Sequence, residues 1–172
     1  MKIAVISGLF FPSIGGAEIV IHNIMKKYEE SNIDATLFIP HRYYNELNID
    51  SFPYKIKSFF VPRGVRFFYN NIFLMKLYSK ILFKFLEGGH SFNVWHAHDA
   101  SFAGYILSLS GLKNTVLTFH GSDIQLLEEA NYGKRLNPVY EERLKNIILP
   151  NISIFTAISK SIKYELLILG VN

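Results

Sequence analysis

Short apolar runs rich in β-branched residues alternate with helical patterns along the whole chain, and this alternation limits the fold more than any other feature. The strand-like runs are Lys2–Ser7, Ala35–Ile39, Lys57–Val61, Asn93–Ala97, Thr115–Phe119 and Ser153–Ala157. Between them lie Ala17–Tyr28, Asn70–Leu86, Ser101–Leu109, a short helix from Ile124, a longer one around Pro138–Leu149, and Lys160–Leu169 closed by Gly170. In the first helix Ala17, Val20, Ile21, Ile24 and Tyr28 recur at spacings of three and four, which puts them on one face. Strands that are apolar on both sides need cover on both sides. The pattern therefore predicts an α/β fold: a mainly parallel sheet between two helical layers, as one domain over residues 1–172. Ligands of such sheets gather at the carboxyl ends of the strands, so the polar residues there deserve the closest reading.

Apolar residues make up 49% of the 172, enough to build a sizeable core. The absence of cysteine excludes a disulfide framework and thiolate metal sites, and it suits a reducing compartment. The run Ile3–Ile6 is too brief for the apolar region of a secretory signal, and no stretch is apolar for long enough to span a bilayer. A cytoplasmic location is expected. The net charge of +4 favours anionic partners such as phosphates, a nucleotide or acidic lipid. Nucleic acid is not expected, because the basic residues are not interleaved with a nucleic-acid-binding motif.

Four clusters fall at predicted strand ends. Gly15 and Gly16 precede the first helix, where a bare backbone can approach a bulky anion and the helix N-terminus can hold it. The pair is neither a Gly-x-Gly-x-x-Gly fingerprint nor a Walker loop, so it does not point to a nicotinamide or flavin cofactor. Glu18, in the first turn, suits the helix dipole. The second cluster is His96-Ala97-His98-Asp99, whose alternate histidines face one way; His96 reads as a core residue and His98 as one lining a cleft. With His120 and Asp123 they raise a metal site as an alternative, though no His-Glu-x-x-His helix or aspartate cluster supports one. The third cluster is His120-Gly121-Ser122-Asp123. Its imidazole suits contact with a sugar hydroxyl or phosphate, and Ser122 or Asp123 also suits the N-cap of the helix expected to follow. In the fourth, Thr156-Ala157-Ile158-Ser159, Ser159 reads as an N-cap, outside any nucleophile elbow.

Lys55–Leu86 differs in kind. It carries Lys55, Lys57, Arg63, Arg66, Lys76, Lys80 and Lys84 among many aromatics and contains no acidic residue. Lys76, Lys80 and Lys84 are spaced by four and form one basic stripe. The segment reads as a surface for anionic membrane, with Arg63 and Arg66 in an adjoining aromatic loop, or as a core helix with one lysine-rich edge.

Together the clusters resemble the N-terminal domain of retaining GT-B-fold glycosyltransferases of the family-4-like, group 1 kind. The matching order is Phe-Phe-Pro-x-x-Gly-Gly-Ala-Glu, then Val-Trp-His-Ala-His-Asp, Thr-Phe-His-Gly-Ser-Asp and Thr-Ala-Ile-Ser. The resemblance implies a Rossmann-like domain, the N-terminal half of a GT-B fold. It implies that Gly15 and Gly16 lie against the diphosphate of a nucleotide-sugar donor. His120 with Asp123 would serve the reaction centre, and His98 and Asp99 would border the acceptor. It further implies transfer of a hexose to a lipid-linked or cell-surface polysaccharide acceptor, no metal cofactor, and attachment to the inner face of the membrane through the basic aromatic region. The family's second domain, which holds the nucleotide, has no counterpart in the sequence, so alone the chain is expected to turn over little. The alternatives are a non-catalytic membrane-docking or partner-binding subunit, and a metal-dependent hydrolase using His96, His98 and His120.

Overall fold

The computed structural model describes residues 1–13, 15–64, 69–89 and 91–171. Six strands form one sheet: β1 (Lys2–Ser7), β2 (Asp34–Pro40), β3 (Lys55–Phe59), β4 (Val94–His98), β5 (Thr115–Phe119) and β6 (Ile154–Ala157). All the pairings are parallel and the order is β3-β2-β1-β4-β5-β6. The helices are α1 (Gly16–Glu30), α2 (His41–Tyr44), α3 (Ile72–Glu87), α4 (Tyr105–Ser110), α5 (Pro138–Arg143) and α6 (Lys160–Ile168).

Strand periodicity divides the apolar residues between two cores. Ile3 and Val5 point into one, with Ile21 and Met25 of α1 and with Leu37, Ile39 and Ile56. Ala4 and Ile6 point into the other, with Met75, Leu82, Phe83, Trp95, Leu117 and Phe119. Trp95 and Ala97 take the second side, so their neighbours His96 and His98 face the first. On α1 the buried line is Glu18, Ile21 and Met25, with Ala17, Val20, Ile24 and Tyr28 half-buried beside it.

Three local expectations give way. β3 lies two residues earlier than its pattern suggested: Phe59 pairs with Pro40, the last residue of β2, and beyond it the chain has no partner strand. Phe60–Arg63 leave the sheet as a result. The helix expected from Ser101 opens as a π turn, Ala100–Gly104, before α4. A side chain at Gly104 would come within 2.9 Å of Leu117, so only glycine allows this approach to β5. Finally, no helix starts at Ile124. The amides of Ile124 and Gln125 both donate to Gly121 O, and the chain then folds back through a bridge between Leu127 and Tyr132.

Candidate functional site

Strands to the left of β1 and to the right of β4 are added in opposite directions, which opens a crevice where their carboxyl ends meet. Ser7 pairs with His98 there. The β1–α1 loop, the β4 end and the β5 end bring Gly15, His98, Asp99 and His120 to this one end of the sheet.

Gly15 is the N-cap of α1 in extended conformation, and Gly16 is its first residue. The Glu18 side chain folds back over the loop: a Cβ at Gly15 would stand 2.6 Å from Glu18 Oε2, whereas one at Gly16 would meet nothing within 4 Å. A side chain at Gly15 would therefore have to push the Glu18 carboxylate aside, and Gly16 keeps the approach to the helix N-terminus open. The buried Glu18 carboxylate sits at the positive end of the helix dipole.

His98 is wholly enclosed, at 0% exposure, rather than lining a cleft as its sequence position suggested. Its Nδ1 lies 2.9 Å from His120 Nε2, and the ring centroids of His96 and His98 are 4.4 Å apart. His96 Nε2 bonds Thr118 Oγ1 at 2.7 Å, and Thr118 is bonded in turn to Thr156. His98 Nε2 and His120 Nδ1 are buried without a hydrogen-bond partner. Burial drives His96 down to about 4, with His120 adding to the effect. It drives His98 far lower and also lowers His120, the last against the pull of the Asp123, Asp99 and Glu18 carboxylates. The three rings are therefore neutral at pH 7. Among the described residues no group of three or more His, Asp or Glu side chains is placed to hold a metal ion. Three of the ring nitrogens, His96 Nε2, His98 Nδ1 and His120 Nε2, are engaged with Thr118 or with each other.

Asp123 stands behind His120. Its Oδ1 accepts from the amides of His120 at 3.0 Å and Gly121 at 2.9 Å, and its Oδ2 accepts from Ala100 N at 3.0 Å. It caps the loops after β4 and β5 together, instead of a following helix. With both oxygens engaged and 2% exposure, it acts by positioning the His120 loop.

Asp99 holds φ at 74°, a conformation unfavourable for any residue with a side chain. Its carboxylate accepts from Ser101 N at 2.6 Å and lies 3.5 Å from Lys134 Nζ. Beside it a cleft of about 740 Å³ runs across the ends of β1 to β4, walled by Leu9, Phe60, Val61 and Phe102, with His41, Arg42, Arg63 and Lys134 also lining it. Arg63, expected to contribute to a membrane surface, lines this cleft. Arg66 lies outside the described residues.

On α3 the inward residues are Met75, Ser79, Leu82, Phe83 and Leu86. The outward side carries Phe73, Leu77, Ile81 and Phe85 at successive spacings of four, the two phenylalanines 74% and 75% exposed. Lys76, Lys80 and Lys84, all exposed, run alongside them. The predicted basic stripe thus adjoins an apolar one. No helix among the described residues is long and apolar enough to cross a membrane.

Residues 14–172 match the model of Glycosyltransferase Family 4. The chain belongs to this family. No curated protein matches it. Among solved structures it is similar to the lipopolysaccharide outer core galactosyltransferase WaaB in its apo form, with a TM-score of 0.57 and 17% identity. That alignment covers 100% of this chain and 43% of the galactosyltransferase, so the chain spans less than half the length of that structure. The likeness supports the expected Rossmann-like half of a GT-B fold, here with an entirely parallel sheet.

The cleft also holds polar residues outside the four strand-end clusters. His41 and Arg42 follow directly on Pro40 at the end of β2, and reading that strand end as closely as the others would have found them. Lys134 gives no such signal. It reaches the cleft because Lys134 N donates to Ser122 O at 2.7 Å, folding a remote segment onto the β5 loop.

Proposed function

We propose that the chain is the acceptor-side domain of a retaining glycosyltransferase that moves a hexose from a nucleotide sugar to a lipid-linked or cell-surface polysaccharide acceptor. The observation that carries this reading is the neutral His98–His120 pair, pinned by Asp123, at the same sheet end as Gly15 and Gly16. Open backbone at Gly16 and the N-terminus of α1 suit the donor diphosphate. His120 Nδ1, unpartnered within the protein, is satisfied by a sugar hydroxyl, which can donate or accept. A neutral imidazole makes that bond without adding positive charge beside an electron-poor sugar carbon. His98 holds the His120 ring through their shared hydrogen bond, so it serves as a positioning residue, and Asp99 orients acceptor hydroxyls at the cleft. No step in this reading calls for a metal ion. The donor's nucleotide belongs to a second, C-terminal domain, without which turnover is low.

The test is transfer by the intact enzyme, this domain together with its donor-binding domain. His120→Ala is expected to lower kcat/KM at least about 100-fold while the thermal midpoint stays near that of the parent. Near-normal turnover in that variant overturns the assignment.

The outward face of α3 supports attachment to an anionic membrane at its inner, cytoplasmic side, with the apolar stripe in the interface and Lys76, Lys80 and Lys84 on the head groups. Vesicle co-sedimentation checks this. Binding to phosphatidylglycerol vesicles is expected to exceed binding to phosphatidylcholine vesicles. At about 1 kcal/mol per lysine, the Lys76→Glu/Lys80→Glu/Lys84→Glu variant loses roughly 100-fold or more. Equal binding by parent and variant removes the docking role. The same face also suits a non-catalytic docking subunit, which the His120 assay separates from an enzyme.

A further inference from the structure

We infer that the cleft over β1–β4 takes an acceptor that carries a phosphate or diphosphate ester on an aliphatic chain, the ester held by Arg42, Arg63 and Lys134 and the chain led out over Phe60 towards α3. The inference rests on the reading of this domain as the acceptor side and adds the chemical class of the acceptor's anchor.

Charge is the first argument. Two guanidinium groups, one ammonium group and His41 line the cleft against a single carboxylate, Asp99. Asp99 is already engaged by Ser101 N and lies near Lys134. A neutral glycan offers nothing to balance the remaining charge, whereas a phosphate ester accepts several guanidinium and ammonium hydrogen bonds at once. The Arg42 guanidinium is already oriented: its Nη2 donates to the Tyr43 hydroxyl at 2.8 Å and it lies 4.5 Å over that ring. The donor diphosphate is not the anion in question, because neither Gly15 nor Gly16 lines this cleft.

The second argument is the apolar wall. Leu9, Phe60, Val61 and Phe102 supply more hydrocarbon than a phosphosugar uses, and Phe60 is 68% exposed at the rim. A chain joined to the phosphate would cover it.

The third argument is the link to α3. The Tyr78 hydroxyl, from the middle of that helix, donates to Phe60 O at 2.7 Å. The Tyr69 hydroxyl, just before the helix, donates to Ser101 O, and Lys134 donates to the Ser101 hydroxyl. Arg143 lies 4.3 Å over the Tyr69 ring and 4.6 Å over Tyr105 and donates to Asn70 Oδ1, which fixes this junction to the core. The helix with the outward apolar stripe and the segment leading into it are thus each hydrogen-bonded to a wall of the cleft, which sets the rim at Phe60 beside that helix.

Calorimetric titration of the chain with farnesyl diphosphate, farnesol, glucose 1-phosphate and inorganic pyrophosphate tests the inference. Farnesyl diphosphate is expected to bind saturably, more weakly as salt is raised, and about 100-fold more weakly to Arg42→Gln/Arg63→Gln, roughly tenfold per guanidinium. Farnesol and the two soluble phosphates are each expected to bind at least about tenfold more weakly than farnesyl diphosphate. Arg42 and Arg63 are exposed, so the double variant should melt with the parent. Undiminished binding by that variant, farnesol binding as tightly as farnesyl diphosphate, or no saturable binding overturns the inference. Glucose 1-phosphate binding as tightly as farnesyl diphosphate overturns the aliphatic part and assigns the cleft to a soluble phosphorylated acceptor. If His120→Ala abolishes transfer while the arginine variant still binds normally, this inference fails and the transferase reading stands. The reverse pattern leaves a lipid-phosphate site and removes the transferase.

Discussion

Asp123→Ala is expected to destabilise the domain by roughly 3–6 kcal/mol, a large share of the stability of an ordinary domain. Three backbone N–H groups, those of Ala100, His120 and Gly121, depend on this one carboxylate. The site is almost fully buried, so water does not replace the lost acceptor, and each orphaned amide costs about 1–3 kcal/mol. The damage also spreads. The Tyr140 hydroxyl donates to Asp123 O at 2.6 Å, so a relaxing loop releases the start of α5 as well. Asp123→Asn keeps an acceptor for His120 and Gly121 but turns an NH2 group towards Ala100 N, so an intermediate loss is expected. Urea unfolding of the three proteins reads the order directly. An alanine variant within about 1 kcal/mol of the parent would show that the loops hold without the carboxylate.

Acid should unfold the protein earlier than its surface carboxylates alone predict. In the unfolded chain His96 takes up a proton near its ordinary 6.5, but in the folded protein only at about 4. Between those values the unfolded state binds more protons, so stability is lost as the pH falls, by up to about 1.4 kcal/mol per pH unit for each such histidine. His96 alone accounts for roughly 3 kcal/mol by about pH 4. His98, depressed further, and His120 act with the same sign. Asp123 opposes them: burial raises its pKa, so its protonation favours the folded state as the pH falls. Glu30, Asp34 and Glu141 have lowered values and give up their contributions only below the ordinary carboxylate range. Urea midpoints measured from about pH 7 to about pH 4 should therefore fall steadily, and the slope should flatten in His96→Gln. A flat profile over that interval contradicts the neutral cluster.

Much of this architecture was legible before any coordinates, because period-two apolar runs and period-3.6 helices are local signals. β5 was read to the residue, and Ser159 caps α6 as its position suggested, its Oγ accepting from Ile162 N at 3.2 Å. The misreadings have separate causes. Alternation put His96 and His98 on one side of β4 but gave no measure of depth, and depth decided that His98 meets His120 rather than solvent. Ser122 and Asp123 look like a helix cap because capping residues read alike whether they serve the amides ahead or those behind. The cationic cleft was invisible for a third reason: Arg42, Arg63 and Lys134 come from three separate connections and meet only after the sheet has formed.

The placement of β1 bears on how the chain is made. This strand is paired on one side by β2 and on the other by β4, whose first residue, Val94, is translated long after Ile3. At ordinary rates of synthesis the interval is roughly 5–20 s. Until then β1–β3 form a half-sheet whose most apolar strand has an open edge, the arrangement most prone to pairing with another chain. The central strand that later organises the whole domain is thus also its most vulnerable point on the ribosome.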